Sequence, residues 1–308
     1  MRRRMTLALT ALLATAGTLV AGPATPAQAA PLPVEWNWLS GFFGNVLDPK
    51  TAPAGANDFG CRGTAAKPPV VLVHGTWENQ KDNRAAYSPF LKNNGFCVFT
   101  FNYGGNPEDT TQGWKSIAAS AGEFTAFVDT VRARTGAAQV DVVGHSQGGM
   151  MPRYAIKFLG AQDKVCKLVA LSPSNHGTTL SGLADLGEFL GLIPAVAAIQ
   201  PAAIDQTIGS PFMTKLDTCP GGANADICPG DTVQYTVIQT NGDQVVTPYT
   251  NAFLQGATNI EIQKVCPLDF TEHLGTTYSQ NSAQLVLKAL DPTVSRDVCV
   301  LTLPYLGG

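Results

Sequence analysis

The sequence has little charge, few histidines and no basic cluster after residue 4. Lys, Arg, Asp and Glu make up 14% of the 308 residues, and the formal net charge is −3 at pH 7. The lack of a basic patch argues against nucleic acid as a partner. The sequence contains no Cys-x-x-Cys motif, and no two of its four histidines have the spacing of metal ligands. Both observations argue against a metal site. We expect neither a metal nor an organic cofactor.

No stretch of the sequence is apolar enough to span a bilayer. The longest apolar run, Leu7–Val20, is about 14 residues, whereas a membrane-spanning helix needs about 20. Three arginines precede this run, and Ala27-Gln28-Ala29 follows it as a small-x-small cleavage pattern. These features predict a signal peptide over residues 1–29, cleaved after Ala29, and a secreted mature chain. A retained N-terminal anchor is the alternative.

Seven cysteines lie after the predicted cleavage site, and an exported protein can oxidise them to disulfides. An odd number leaves at least one cysteine unpaired or bridged to another chain. Proximity along the chain suggests three pairs and one remaining thiol: Cys61–Cys97, Cys219–Cys228 and Cys266–Cys299, with Cys166 left over.

Short apolar runs alternate with helical patterns over most of the chain. The runs lie at about 69–75, 97–101, 140–143, 168–171 and 233–238, and the helical patterns at about 83–94, 116–135, 147–160 and 279–290. Runs of this length are typical of strands buried on both faces. The alternation predicts one α/β domain over residues 30–308, with a mostly parallel sheet, helices on both faces and an irregular N-terminal arm over about 30–68.

One segment interrupts the alternation. From Leu183 to Ile208 the chain is mostly Leu, Ile, Ala and Gly. It follows the fourth apolar run, at the carboxyl edge of the predicted sheet, where α/β proteins bind their ligands. We interpret the region of about 181–212 either as a lid or acyl-pocket wall or as helices packed into the core.

The pentapeptide at 144–148, Gly-His-Ser-Gln-Gly, carries the strongest signal for chemistry. An apolar strand pattern precedes it and a helix-like run, Met150–Leu159, follows, which is the context of a nucleophile elbow. Side chains at Gly144 and Gly148 are expected to collide with neighbouring segments. The turn is expected to expose the Ser146 hydroxyl and to point free N–H groups of the next helix at the reaction centre.

A serine nucleophile needs a base, and chain order identifies it here. In a fold with this elbow the order is serine, acid, histidine. His74 and His145 precede the serine. His176 precedes every convincing acid. His273 is therefore the predicted general base.

Asp243 is the predicted acid, because it follows the strand pattern ending at Ile238 in a Gly-containing turn. Asp269 and Glu272 are rivals, although on the histidine's own loop they are awkward to aim at its Nδ1. Three further aspartates lie in or beside the Cys219–Cys228 loop and lack strand context: Asp217, Asp226 and Asp231.

Preorganised N–H groups must stabilise the oxyanion of the transition state. One is expected from the backbone of Gln147, directly after the nucleophile. The other is expected from the loop after the first strand, where the N–H of Thr76 follows Gly75, and the Thr76 hydroxyl could add a third bond. The alternative is that His74-Gly75 forms only a tight turn.

Four stretches resemble the bacterial class 2 lipase family and, more distantly, the fungal lipase B type. They are 70–79 (VVLVHGTWEN), 144–149 (GHSQGG), 172–178 (SPSNHGT) and 241–246 (NGDQVV). The resemblance implies an α/β-hydrolase fold and extracellular hydrolysis of acylglycerols. It also implies Ser146, Asp243 and His273 as triad, with Thr76 and Gln147 as the oxyanion positions. Cys166 has no place in the family pattern.

The sequence therefore predicts a secreted, monomeric serine hydrolase acting on lipid or other esters, with transient contact to a lipid–water interface. An acyltransferase or a polyester-degrading esterase would use the same three residues. A non-catalytic binding protein that keeps the fold is the alternative from another class. Such proteins typically lose a triad member, whereas every member has a candidate here.

Overall fold

A computed structural model describes residues 30–192, 199–295 and 298–308. The predicted signal peptide, residues 1–29, lies outside these described residues, as do residues 193–198 of the 181–212 segment. Within the described part, no helix is both long and apolar enough to cross a membrane.

Six parallel strands form one sheet in the order β2-β1-β3-β4-β5-β6. Their bounds are β1 Val70–Val73, β2 Val98–Thr100, β3 Val140–His145, β4 Val165–Leu171, β5 Gln234–Gln239 and β6 Thr258–Glu261. After β2 the chain crosses back past β1 to form β3, so β1 and β3 are neighbours at a topological switch point. The loops that follow β1 and β3 diverge there and leave a crevice at the carboxyl edge of the sheet, where α/β proteins bind ligands.

Helices cover both faces of the sheet and bury its side chains. The main ones are α1 Trp38–Phe43, α2 Tyr87–Asn93, α3 Ile117–Thr135, α4 Gln147–Phe158, α5 Leu180–Phe189, α6 Pro201–Gln206, α7 Pro211–Leu216, α8 Ile262–Val265 and α9 Gln280–Leu290. Val71 and Val73 of β1 pack in one core with side chains of α3 and α4. The alternate residues Val70 and Leu72 pack in a second core with α2 and α9. The predicted α/β-hydrolase architecture is confirmed.

The strand and helix predictions differ from the structure in three places. The edge strand β6 was not predicted, because its sequence TNIE is partly exposed and has no apolar run. The N-terminal arm includes the short helix α1, which begins after an Asn37 side-chain cap. The helix predicted from residue 83 begins only at Tyr87, because residues 80–86 form turns that bury polar side chains.

Three disulfides join the pairs that proximity suggested: Cys61–Cys97, Cys219–Cys228 and Cys266–Cys299. Cys166 is the free, half-buried thiol at the second position of β4. The disulfide prediction is confirmed.

The segment between β4 and β5 is anchored over the carboxyl edge of the sheet. It contains α5, α6 and α7. Thr178 exchanges backbone hydrogen bonds with it, donating to Gln206 O at 2.8 Å and accepting from Ile208 N at 3.0 Å. Trp77 Nε1, from the loop after β1, donates to Gln200 Oε1. These contacts bring the end of the segment next to the β1 and β4 loops.

Asp141 in β3 is a buried carboxylate with no hydrogen-bond partner on either oxygen among the described residues. Burial raises its pKa to about 7, although Lys167 on the adjacent strand acts in the opposite direction. The unfolded chain ionises near the ordinary value of 3.8. Stability therefore decreases as pH rises from about 4 to about 7, where the folded form must ionise a buried group.

We expect Asp141→Asn to raise Tm at pH 8, where wild type carries the buried charge, and to change it little at pH 4. The increase should be about 4 °C or more, since 1 kcal/mol shifts Tm by about 2–4 °C at this size. Differential scanning calorimetry at both pH values measures it, with the exposed Asp163→Asn as control. Equal Tm values of wild type and D141N at pH 8 would contradict the assignment.

Candidate active site

Ser146 lies on the tight turn between β3 and α4, with φ 54° and ψ −125°. A positive φ is uncommon for a residue with a side chain and is held here by close packing. A Cβ at Gly144 would lie 1.9 Å from Gly148 O, and one at Gly148 would lie 2.2 Å from His74 O. The expected collision of side chains at these two positions is confirmed. The turn places the serine beside the loop that follows β1.

The structure brings His273 and Asp243 together in a buried pair. His273 Nδ1 lies 2.8 Å from Asp243 Oδ2, and both side chains are fully buried. Asp243 Oδ1 accepts the backbone N–H groups of Val245 and Val246 at 2.9 and 2.8 Å. Gln239 Nε2 donates to Oδ2 at 3.0 Å. These bonds fix the carboxylate so that one oxygen faces the imidazole.

The two rival acids have other partners. Asp269 accepts hydrogen bonds from Thr271 N, Ser279 Oγ and Asn281 Nδ2, each at 2.8 Å. Glu272 accepts the N–H groups of Gly275 at 2.8 Å and Tyr305 at 3.3 Å. Both carboxylates thus brace the chain around the histidine.

His273 presents its other ring nitrogen without a partner. Nε2 is buried and has no hydrogen bond in the described part of the chain. Ser146 Oγ likewise makes none there, so no hydrogen bond joins the two atoms in this structure; catalytic contacts are often long before substrate binds. Burial disfavours the charged imidazole, but the adjacent Asp243 outweighs it and raises the pKa of His273. A base of this kind accepts a proton readily and is stabilised after accepting it.

Thr76 and Gln147 meet through their side chains, while their backbone N–H groups have no partner among the described residues. The Thr76 hydroxyl donates to Gln147 Oε1 at 2.7 Å. It is therefore not free to provide a third donor in this state, contrary to the suggestion from the sequence. The two N–H groups, one at the start of α4 and one in the β1 loop, are donors of the type that bind an oxyanion.

Gln206 at the end of α6 completes this arrangement and was missed by the sequence analysis. Its Nε2 donates to Thr76 Oγ1 at 2.8 Å, and its Oε1 accepts from Ser174 Oγ at 2.8 Å. The only signal in the sequence is a glutamine near the end of an apolar segment, which does not indicate its partner 130 residues earlier.

A cavity of about 450 Å³ lies beside the His273–Asp243 pair. Val245 and Leu274, each close in sequence to one member of the pair, form part of its wall. Phe189 of α5 and Tyr305 also line it, and their rings stack on each other with 5.1 Å between the centroids. Asp185 and Glu188 add charge to the lining. The cavity is mixed in character, and its lining includes sequence neighbours of Asp243 and His273 but none of the candidate site residues themselves.

A second histidine–carboxylate group lies elsewhere and has the composition of a metal site. His176 Nδ1 and Nε2 lie 3.3 and 3.4 Å from Asp217 and Asp226 oxygens. The nearby carboxylates of Asp217 and Asp226 raise the pKa of His176 to about 9. Arg153 lies 3.9 Å from Asp226. Two positive side chains thus neutralise both aspartates, and the group is a salt-bridge cluster that joins the Cys219–Cys228 loop to the β4 loop.

Comparison with known proteins places the chain in a family. The family model described as Lipase (class 2) matches residues 67–284. Lipase B of Pseudozyma antarctica is 28% identical over 172 residues, which cover 55% of this chain and 47% of that protein. A triacylglycerol lipase of Burkholderia plantarii is 25% identical over 185 residues, 58% of this chain and 46% of that protein. The chain thus spans about half the length of these relatives.

Solved structures share the fold. The crystal structure of Aspergillus fumigatus lipase B superposes with a TM-score of 0.60 at 22% identity, covering 78% of this chain and 55% of that one. A Bacillus licheniformis lipase in its mature form gives a TM-score of 0.52 at 18% identity, covering 75% and 94%.

If Asp243 orients His273, Asp243→Asn should lower kcat for p-nitrophenyl butyrate by about 10⁴-fold, because the amide favours the wrong tautomer. Stopped assays with purified enzyme measure the rate. Glu272→Gln, a matched change on the histidine's own loop, should retain kcat within about threefold. A larger loss in E272Q than in D243N would reassign the acid.

Gln206→Leu should lower kcat by about tenfold with KM nearly unchanged, because Thr76 loses the donor that fixes it. The loss should be smaller than the 10²–10³-fold effect of removing an oxyanion donor itself. Steady-state kinetics measure it, with Gln284→Leu in α9 as control. Wild-type kcat in Q206L would show that Thr76 and Gln147 hold their positions without it.

Proposed function

The chain belongs to the class 2 lipase family, and we propose that it is a secreted serine hydrolase that cleaves the carboxylic esters of lipids. The observation that carries the proposal is the buried His273–Asp243 pair with its unpartnered Nε2, beside a serine on a strained turn. A hydroxyl is a poor nucleophile until a neighbouring base takes its proton, and this pair supplies such a base.

In the acylation step, Ser146 Oγ attacks the ester carbonyl carbon while its proton passes to His273 Nε2. The new imidazolium stays paired with Asp243. The carbonyl oxygen becomes an oxyanion and accepts hydrogen bonds from the backbone N–H groups of Thr76 and Gln147. The intermediate collapses with cleavage of the bond to the alcohol oxygen, which leaves with the proton from Nε2. An acyl-Ser146 ester remains.

Deacylation repeats the same steps with water. His273 Nε2 removes a proton from a water molecule, whose oxygen attacks the acyl carbon. The oxyanion again faces the two N–H groups, and Ser146 Oγ leaves with the proton. The carboxylic acid is released, and the proposed reaction uses no metal or organic cofactor.

An apolar acyl chain is the substrate group that the surroundings favour. The cavity beside the triad has an apolar side formed by Leu186, Phe189, Val245 and Leu274. Phe189 also contacts the buried Trp38 at 5.3 Å between ring centroids, so α5 packs against α1 on this side of the cavity. Aromatic and aliphatic side chains of this kind are typical of sites that bury apolar ligands, although Asp185 and Glu188 make the rest of the lining polar. We propose α5 as part of an acyl-binding wall.

Export from the cell is part of the proposal. It rests on the N-terminal sequence pattern and on three disulfides, which form and persist in oxidising compartments. Monomeric behaviour and transient contact with a lipid surface remain predictions from the sequence.

Ser146→Ala is expected to abolish hydrolysis of tributyrin and to prevent labelling by a fluorophosphonate, because the nucleophile is lost. The matched variant Ser172→Ala, at a buried serine next to β4, should keep both. Peptide mass mapping of the labelled wild type should place the adduct on Ser146. Labelling of S146A at the wild-type rate would contradict the proposal.

The same preparation distinguishes the substrate classes. A lipase should hydrolyse long-chain triglyceride emulsions as well as tributyrin, whereas an esterase of soluble substrates should act on tributyrin alone. Acyl-glycerol formation with added glycerol, at a rate exceeding hydrolysis, would instead identify an acyltransferase.

A further inference from the structure

A second acid–histidine pair lies directly behind the candidate triad. His145, the residue before the nucleophile, is fully buried, and its Nδ1 lies 3.0 Å from Glu78 Oε2. Its Nε2 lies 3.0 Å from the backbone carbonyl oxygen of His273. Glu78 is also buried, two residues after Thr76 in the β1 loop. The pair therefore links the loop that carries Thr76 to the chain that carries the general base.

Three polar contacts surround the His145 ring and limit where its protons lie: Nδ1 lies 3.0 Å from both Glu78 Oε2 and Asn83 Nδ2, and Nε2 lies 3.0 Å from His273 O. A carbonyl oxygen only accepts hydrogen bonds, so Nε2 carries the proton that binds His273 O. A carboxylate oxygen 3.0 Å from Nδ1 requires one more proton between those two atoms. Whichever atom holds that proton, the pair has no net charge. Hydrogen bonds that involve a charged group are stronger where water is absent, and both Glu78 and His145 are buried away from water.

The surrounding backbone leaves no room for another arrangement. Gly75 N donates to Glu78 Oε2 at 3.1 Å. A Cβ at Gly75 would lie 2.3 Å from that oxygen and 3.1 Å from His145 Nδ1. The pair is thus enclosed between the β1 loop and the elbow, in contact with both.

We propose that Glu78 and His145 are positioning residues that hold the general base His273 through its backbone carbonyl. That carbonyl accepts from His145 Nε2 at 3.0 Å and from Thr276 Oγ1 at 2.7 Å. Two donors from different directions fix the peptide plane, and with it the direction in which the ring leaves the chain. For Nδ1 to face Asp243 and Nε2 to face Ser146, the ring must leave the chain in this one direction.

The pKa of the general base depends first on its burial and on Asp243. Burial opposes a charged His273, while Asp243 favours it, and the pKa of His273 is raised. The other titratable groups facing the pair are buried side chains of the β1 loop, the turn before α2, the β2 loop and the segment before α9: His74, Asp82, Arg84, Tyr103 and Tyr278. Arg84 acts against a positive charge on His145, and Glu78 acts for it.

This inference rests on the proposed ester hydrolysis, and three variants test it in the full chain. His145→Leu removes the contacts to Glu78 and to His273 O but keeps a side chain of similar size. His145→Gln keeps one amide donor for His273 O. Glu78→Gln keeps an acceptor for Gly75 N but removes the carboxylate. Asp141→Asn, a change in a buried acid on the same strand as His145, is the matched control.

We expect H145L to lower kcat for p-nitrophenyl butyrate by about 10–100-fold with KM within about twofold, as displacement of a catalytic group does. H145Q should recover at least half of that loss on a logarithmic scale. In E78Q, kcat should fall with KM nearly unchanged, because His145 loses the carboxylate that fixes its ring toward His273 O. D141N should match wild type in both measurements.

Several results would overturn the inference. One is wild-type kcat in H145L; another is wild-type kcat in E78Q. An equal loss in H145L and H145Q, both with wild-type circular dichroism, would show that the donor has no role. If H145L does not fold, E78Q and H145Q decide. If wild type lacks esterase activity the proposed function fails by itself, and a crystal structure of H145L or E78Q with His273 unmoved from Asp243 would overturn the positioning role separately.

Discussion

The contact between the Ser146 turn and the end of β1 determines the rest of the site. Gly148 approaches the carbonyl groups of Val73 and His74 so closely that a single added carbon would lie 2.2 Å from an oxygen. This approach requires β1 and β3 to be neighbours in the sheet, which the strand order provides. It brings the first N–H groups of α4 beside those of the β1 loop. In the proposed mechanism, these N–H groups from two separate segments bind the oxyanion.

Around that contact the protein buries many polar side chains, and most of them are hydrogen-bonded to one another. His273 is held from its side chain by Asp243 and from its backbone by His145. Thr76 is held by Gln206 and in turn contacts Gln147. Burying polar groups costs free energy unless they are hydrogen-bonded, but paired groups in a dry site hold one geometry. The interior of this family member is thus arranged to keep a base and two donors in fixed directions.

The features of the molecule that neighbouring residues determine could be predicted from local patterns in the sequence. The five strands with apolar runs, the elbow and the three disulfides were predicted because neighbouring residues or chain proximity encode them. Asp243 and His273 were found through chain order in the fold. By contrast, β6 has no apolar run, and the partners of Gln206 and Glu78 lie 130 and 67 residues away. Their roles depend on which loops the sheet brings together, and no spacing in the sequence reports that.

The most direct test of the account is a crystal structure of the protein inhibited by a p-nitrophenyl alkylphosphonate, whose tetrahedral phosphorus resembles the acylation intermediate. The account predicts phosphorus bonded to Ser146 Oγ, one phosphoryl oxygen within about 3 Å of both Thr76 N and Gln147 N, and His273 Nε2 beside Oγ. The alkyl chain should run along the wall formed by Leu186 and Val245. Phosphorus on another residue, or a phosphoryl oxygen directed away from the two N–H groups, would contradict it.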